Sequence, residues 1–228
     1  MKKHTVIVGL AIITSLLFAC KKKDGLNQNL DPNKQENSNY MSTKKGSWWL
    51  FGARNGDVTK RMATGKDSIK NGLLFSYFEK QDTNTKFVTP EYFGKNGNRY
   101  LSLYDFDGAQ TNYATLVFLL DSAVAGTQWN NTQDYNYLGI KVNLLIESNV
   151  DFTGGTLTLG TKTYKEVTKV HNKLKGKPST LPTYFDAGTI DIWFAKGIGV
   201  IMEDVNVSIL TLGIKHTDSL LDYHIEPQ

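Results

Sequence analysis

Cysteine is almost missing from this chain: 228 residues contain one, Cys20. A disulfide framework is therefore excluded, and so is a zinc site built on thiolates. Proline is scarce, at five residues, and no segment enriched in Pro, Gly and Ser divides the body into two domains. Charge of one sign is lacking as well, with 26 Lys and Arg against 22 Asp and Glu. A nucleic-acid partner would need a basic stripe, which this near balance does not supply. No Gly-x-Ser-x-Gly elbow, phosphate-binding glycine loop or HExxH helix occurs. The four histidines, at 4, 171, 216 and 224, have no metal-ligand spacing. The reading is of a protein that is not an enzyme and carries no cofactor and no metal. Carboxylates such as Asp191, Glu203 and Asp204 have no spacing that pairs them for acid–base work. Asp105-Phe106-Asp107-Gly108 has the look of a calcium-loop fragment, but position 116 is Leu where an EF-hand needs a bidentate Glu. A hairpin turn is the better reading of it.

Long apolar runs are absent too, except at the start. Lys2 and Lys3 precede an apolar stretch from Val6 to Phe18 that is interrupted only by Gly9, Thr14 and Ser15. A membrane-spanning helix needs about 20 such residues, so this one is too short and has the build of a secretory signal. Small Ala19 stands before Cys20, and Leu17 lies three residues upstream of it, which resembles the lipobox of bacterial lipoproteins. That resemblance implies residues 1–19 as signal peptide, cleavage between Ala19 and Cys20, and acylation of Cys20, palmitate included. Two or more chains hold a protein on a membrane where one does so only marginally. The expected partner is the membrane itself, through the lipid. Cleavage also removes two lysines and no acid, leaving 24 basic residues against 22 acidic ones.

Residues 20–45 read as a lipidated, flexible tether. Asn, Gln, Lys and Pro dominate, and too few apolar groups are present to offset the entropy of ordering. As coil, such a segment has a root-mean-square span of roughly 25–30 Å. From 46 to 228 the expectation is one antiparallel β domain. Alternation is strict in Ile140–Leu144, Thr156–Leu159, Val205–Ile209 and Thr189–Ile192. Further strands are expected at Ser47–Ala53, Leu73–Lys80, Arg99–Phe106 and Tyr113–Leu120. Leu116–Leu120, apolar on both faces, fits either a central strand or the start of a short helix. Lys165–Leu174 is ambiguous between helix and strand. Asn55-Gly56, Asn71-Gly72, Asn96-Gly97, Asp107-Gly108 and Gly154-Gly155 read as tight turns. The fold class is thus all-β: about ten strands in a barrel or curved half-barrel, because a large twisted sheet tends to close on its own edges. A two-sheet β-sandwich is the alternative.

Three segments of the C-terminal third carry a family resemblance. They are Leu157 to Val170, Ile192 to Ile201 with its Ala195-Lys196-Gly197-Ile198-Gly199 core, and Leu220-Leu221-Asp222-Tyr223-His224-Ile225. Together with the Gly126-Thr127-Gln128-Trp129 corner they resemble a group of Bacteroidetes lipoproteins. The curved sheets of that group are similar to Lol-type carriers and to lipocalin-like barrels. The resemblance implies an envelope address, at the outer membrane, with the periplasmic and surface faces both open. It supplies no activity. The glycines 197 and 199 read as a strand bend or as backbone covered by an aromatic from Trp129, Trp193 or Phe194.

Aromatics are the richest remaining signal, with 4 Trp, 11 Tyr and 11 Phe. Adjacent rings in Trp48-Trp49 and Tyr92-Phe93 must point to opposite faces of extended backbone. Trp48, Trp49, Tyr92 and Trp193 are therefore the candidate ligand-binding residues, for an apolar or carbohydrate ligand. The alternative function is a structural or interaction module that binds another envelope protein and no small molecule. Three Asp-Ser-aliphatic triplets match the O-glycosylation acceptor of the same phylum and make Ser68, Ser122 and Ser219 candidate sites, with Ser68 and Ser219 expected at loops or strand edges. Cys20→Ser should move the protein from the membrane fraction to the soluble one on cell fractionation, and unchanged membrane retention would overturn the anchor.

Overall fold

A computed structural model describes residues 40–227, apart from 107, 109, 111, 138, 210 and 211 and the side chain of Leu212. The signal, Cys20 and the tether up to residue 39 lie outside the described residues. Every regular element described is a strand: β1 (Trp48–Ala53), β2 (Val58–Lys70), β3 (Leu73–Asp82), β4 (Val88–Asn96), β5 (Arg99–Tyr104), β6 (Ala114–Leu120), β7 (Gln128–Tyr137), β8 (Ile140–Leu159), β9 (Lys162–Pro178), β10 (Phe185–Ala195), β11 (Gly199–Ile209) and β12 (Leu212–His224). They form one antiparallel sheet in the order β6-β5-β4-β3-β2-β1-β12-β11-β10-β9-β8-β7. Each strand is thus beside its sequence neighbour, and β1 pairs with β12. Only the step from β6 to β7 lacks a ladder, so the sheet is a nearly closed barrel.

That last gap is bridged by side chains. The Trp129 indole donates to Val117 O at 2.9 Å, and Asn131 Nδ2 donates to Thr115 O at 3.0 Å. The Gln133 amide acts as a stand-in for a strand residue: its Nε2 donates to Thr115 O at 2.6 Å and its Oε1 accepts from Thr115 N at 2.8 Å. Edge backbone on β6 is satisfied without a regular ladder, which blunts the edge against foreign strands. This explains the composition of β7, Gln-Trp-Asn-Asn-Thr-Gln-Asp-Tyr-Asn-Tyr, which shows little apolar alternation.

Two long hairpins bend over the outside of the barrel. In β2 the register shifts between Ala63 and Lys66, at Gly65 with φ of 70°. Pairing of β3 with β4 then ends at Ser76, and the β2–β3 arm crosses β4 and β5. Its tip reaches β6, where Asn71 Nδ2 donates to Tyr113 O at 3.0 Å. β5 and β6 are consequently buried on both faces, which is why Leu116–Leu120 is apolar throughout. β8 bends similarly through register shifts between Val150 and Leu157. Gly154-Gly155 lies within that bulged stretch and not at a hairpin turn, contrary to the sequence reading; the β8–β9 turn is at Gly160-Thr161. The ambiguous Lys165–Leu174 is strand. Its period is masked by Asn172, which is buried because it donates to Ile190 O and accepts from Ser148.

Aromatic rings fill the middle of the barrel. Trp49 packs against Phe78, Phe78 against Phe93, Phe93 against Phe118, and Phe118 stacks on Phe194 with centroids 5.1 Å apart. Tyr40 sits edge-on to Tyr100 and Phe194, and Met41 is buried beside them. Residues 40–45, assigned to the tether from composition, therefore belong at least in part to the packed body. Two aromatic-core residues after a polar segment are too few to register as a change of composition. Gly199, at φ 112°, is covered by this segment and not by a ring: a Cβ there would lie 2.9 Å from Tyr40 O. Gln133→Ala should speed amide hydrogen exchange at Thr115 and cost about 1–3 kcal/mol of stability. Gln128→Ala, exposed on the same strand, should change neither. Equal protection in both variants would show that the seam does not depend on Gln133.

Candidate functional site

A meander places the β1–β2, β3–β4, β5–β6, β7–β8, β9–β10 and β11–β12 connections at one pole. The other connections, the start of β1 and the end of β12 meet at the opposite pole. Tyr40 and Met41 close the second pole. Toward the first, the barrel interior opens into a cavity of about 400 Å³. Its floor includes Phe93, Phe118, Ile192 and Val200, and its mouth includes Phe87, Gly108 and Gln110. Phe87 is 64 % exposed.

The wall between floor and mouth is charged. Strand pairing sets Trp49, Arg61 and Lys80 side by side across β1, β2 and β3, all on the inner face. Arg61 is 4 % exposed, and its guanidinium lies between the Phe51 and Phe93 rings, 4.9 and 4.8 Å from their centroids. Its Nε and Nη2 both donate to the carboxylate of Glu91, Nη2 at 3.2 Å. Nη1 is buried without a hydrogen-bond partner. Lys80 lies 3.4 Å from Asp218 and 3.9 Å from Glu91. The Tyr104 hydroxyl donates to Glu203. Burial pulls Arg61 toward deprotonation, but Glu91 outweighs it and the guanidinium is held above its ordinary range. Burial likewise pushes the Glu91 carboxyl up, yet Arg61 and then Lys80 bring it below its ordinary value. Tyr104 is held well above the usual phenol range, first by burial and then by the Glu203 charge.

None of the four aromatics singled out from sequence lines this cavity. Trp49 is fully enclosed, and its indole donates to Ile198 O at 2.7 Å. Trp48 points outward, stacked on His224 with Lys60 Nζ 4.9 Å above the ring. Tyr92 and Trp193 are also on the outer face, covered by Lys70 at 5.2 Å and Lys169 at 5.0 Å. Two or more strands separate each pair among Trp48, Tyr92 and Trp193, so they form no common platform. The outward rings are partnered by the protein's own ammonium groups, which is the ordinary cation–π arrangement. The cavity residues were missed because Arg61, Glu91 and Glu203 look like solvated positions in a linear chain. The one legible sign is in β2 and β4, where charges occupy the phase that alternation assigns to the inside.

His216 and His224 lie on the same strand, β12, and do not converge. Among the described residues no group of His, Cys, Asp and Glu is arranged to hold a metal. Asp105 Oδ2 accepts from Gln110 N at 2.8 Å, within the β5–β6 connection. Of the three candidate acceptor serines, Ser122 is at an exposed turn with φ of 62°. Ser68 and Ser219 are half-buried strand residues, and Ser219 is paired on both sides, opposite Gly52 and Met202.

No protein-family model matches the chain, and no curated protein matches it at a significant level. The fold is similar to the crystal structure of a candidate lipoprotein from Parabacteroides distasonis. The TM-score is 0.52 at 8 % identity, covering 83 % of this chain and 100 % of that one. At that identity the likeness is one of fold: an all-β, antiparallel, nearly closed barrel.

Removing one member of a buried pair leaves the other charge uncompensated, so Arg61→Ala should cost about 3–5 kcal/mol. Glu91 also makes stability pH-dependent. Its folded value is depressed, so its contribution is complete above the ordinary 4.5 and is lost as pH falls through the lower folded value. Between about pH 5 and pH 3 the wild-type melting temperature should therefore fall more steeply than that of Glu91→Gln. Parallel slopes would show that the pair does not store this stability.

Proposed function

We propose that the chain is a lipid-anchored protein of the bacterial cell envelope, held at the outer membrane through Cys20. Its barrel serves as a non-catalytic receptor that takes a small ligand into the charged end of the interior. The lipobox-like Leu17-Phe18-Ala19-Cys20 supports the address. The shared fold with a candidate lipoprotein of the Bacteroidetes is consistent with it. The observation that carries the binding reading is the cavity itself, of about 400 Å³ and open at the pole opposite residue 40. That volume is within the range of small-molecule sites. The arrangement also points the mouth away from the end where the anchored segment joins the barrel.

The geometry favours a polar ligand over an apolar chain. The aromatic stack from Trp49 to Phe194 leaves no greasy tunnel through the barrel, and the open space is walled by ions. The charges are already engaged with one another, Arg61 with Glu91 and Lys80 with Asp218, which suits holding a ligand more than transferring protons to it. The filled centre also supports the second reading, a ligand-free interaction module. Native mass spectrometry of the full-length protein, extracted from its own envelope in mild detergent, separates the two. A retained small-molecule adduct is expected, and bare protein in repeated preparations would sink the receptor reading.

A further inference from the structure

The cavity wall presents unused hydrogen-bonding capacity. Arg61 is clamped between two rings and tied to Glu91 through Nε and Nη2, so its orientation is fixed; Nη1 is enclosed without a partner and contributes charge to the wall, not a donor that a ligand reaches. Glu203 is the opposite case. Its carboxylate accepts from the Tyr104 hydroxyl and has no ion pair among the described residues, whereas a carboxylate has room for about four hydrogen bonds. Ser102, Thr89 and Gln110 add neutral groups that both donate and accept. Phe87 adds ring surface at the mouth.

This combination restricts what can occupy the site. An apolar ligand would displace water from the Glu203 carboxylate and return nothing to it, which is costly for a charged group. An anionic ligand meets a wall in which Glu91, Asp105 and Glu203 outnumber Arg61 and Lys80, and Lys80 is shared with Asp218 outside the cavity lining. A hydroxyl group suits this wall, because it can donate to Glu203 and accept from the Gln110 amide or the Ser102 hydroxyl. A ligand with several hydroxyls on one edge and C–H groups on a flat face also uses the ring.

We propose that the cavity holds a hydroxyl-rich, non-anionic ligand of the carbohydrate class, with Glu203 reading its hydroxyls and Phe87 flanking its ring at the mouth. This rests on the cavity being a binding site and adds the class of molecule that it selects. Glu203 is then the specificity-determining residue: it favours a neutral or amine-bearing sugar and repels a sugar acid.

The test uses full-length protein in detergent, titrated by calorimetry with four probes: methyl glucoside, glucosamine, glucuronate and octanol. Methyl glucoside and glucosamine should bind at one site and compete with each other, with glucuronate about tenfold weaker or more. Glu203→Gln should weaken methyl glucoside by about 10–100-fold, the range for a hydrogen bond to a charged group. Phe87→Ala, at an exposed position, should weaken it too, and thermal melts should show both variants folded. Octanol or glucuronate binding as tightly as methyl glucoside overturns the ligand class and leaves the receptor reading standing. Unchanged affinity in Glu203→Gln does the same. Silence from all four probes overturns the ligand class, and bare protein in native mass spectra removes the receptor reading with it.

Discussion

A twelve-stranded sheet has two edges, and the architecture follows from how they are disposed of. An open edge would expose a row of unpaired N–H and C=O groups to any passing strand. Here β1 pairs with β12, so the first and last strands meet and the edges are left in mid-sequence, at β6 and β7. Those two strands approach without a regular ladder. Gln133, Asn131 and Trp129 supply the missing partners to Thr115 and Val117. The barrel is thus closed by main chain around most of its circumference and by side chains at one seam.

Closure creates the second problem, which is volume. Barrels of about eight strands are filled by ordinary side chains, while much larger ones leave a channel. Twelve strands fall between. The protein fills the middle with large rings, Trp49, Phe78, Phe93, Phe118 and Phe194, and plugs one pole with Tyr40 and Met41. At the other pole the filling is ionic. Arg61 joins the two regimes, with its faces on Phe51 and Phe93 and its edge on Glu91. Hydrogen-bonded charges must keep their partners' geometry and do not interdigitate as rings do, and the cavity lies at this ionic end.

The sequence showed clearly the strands whose inner faces are apolar. Val205–Ile209, Thr189–Ile192 and Ile140–Leu144 alternate because their inward residues meet the aromatic core. β2 and β4 were not legible for the opposite reason. Their inward positions hold Arg61 and Glu91, so the apolar phase vanishes where the site is built. β7 hid itself through its seam residues, and Gly154-Gly155 imitated a turn because a bulge and a hairpin both call for glycine.

What the sequence determined by itself is the part written in neighbours along the chain. That includes the short apolar segment ending in Ala19-Cys20 as an address, the all-β class from period-two alternation, and the opposite facing of Trp48 and Trp49. What only the tertiary structure decided is which side chains meet across strands. Arg61, Glu91, Lys80, Tyr104 and Glu203 come from five different strands and share one cavity wall only after the ring closes. Outward rings such as Trp48 and Trp193 are occupied by lysines from adjacent strands, Lys60 and Lys169. Local periodicity records whether a residue faces in or out. It carries no information about the strand register that makes a solvated-looking arginine the wall of a cavity.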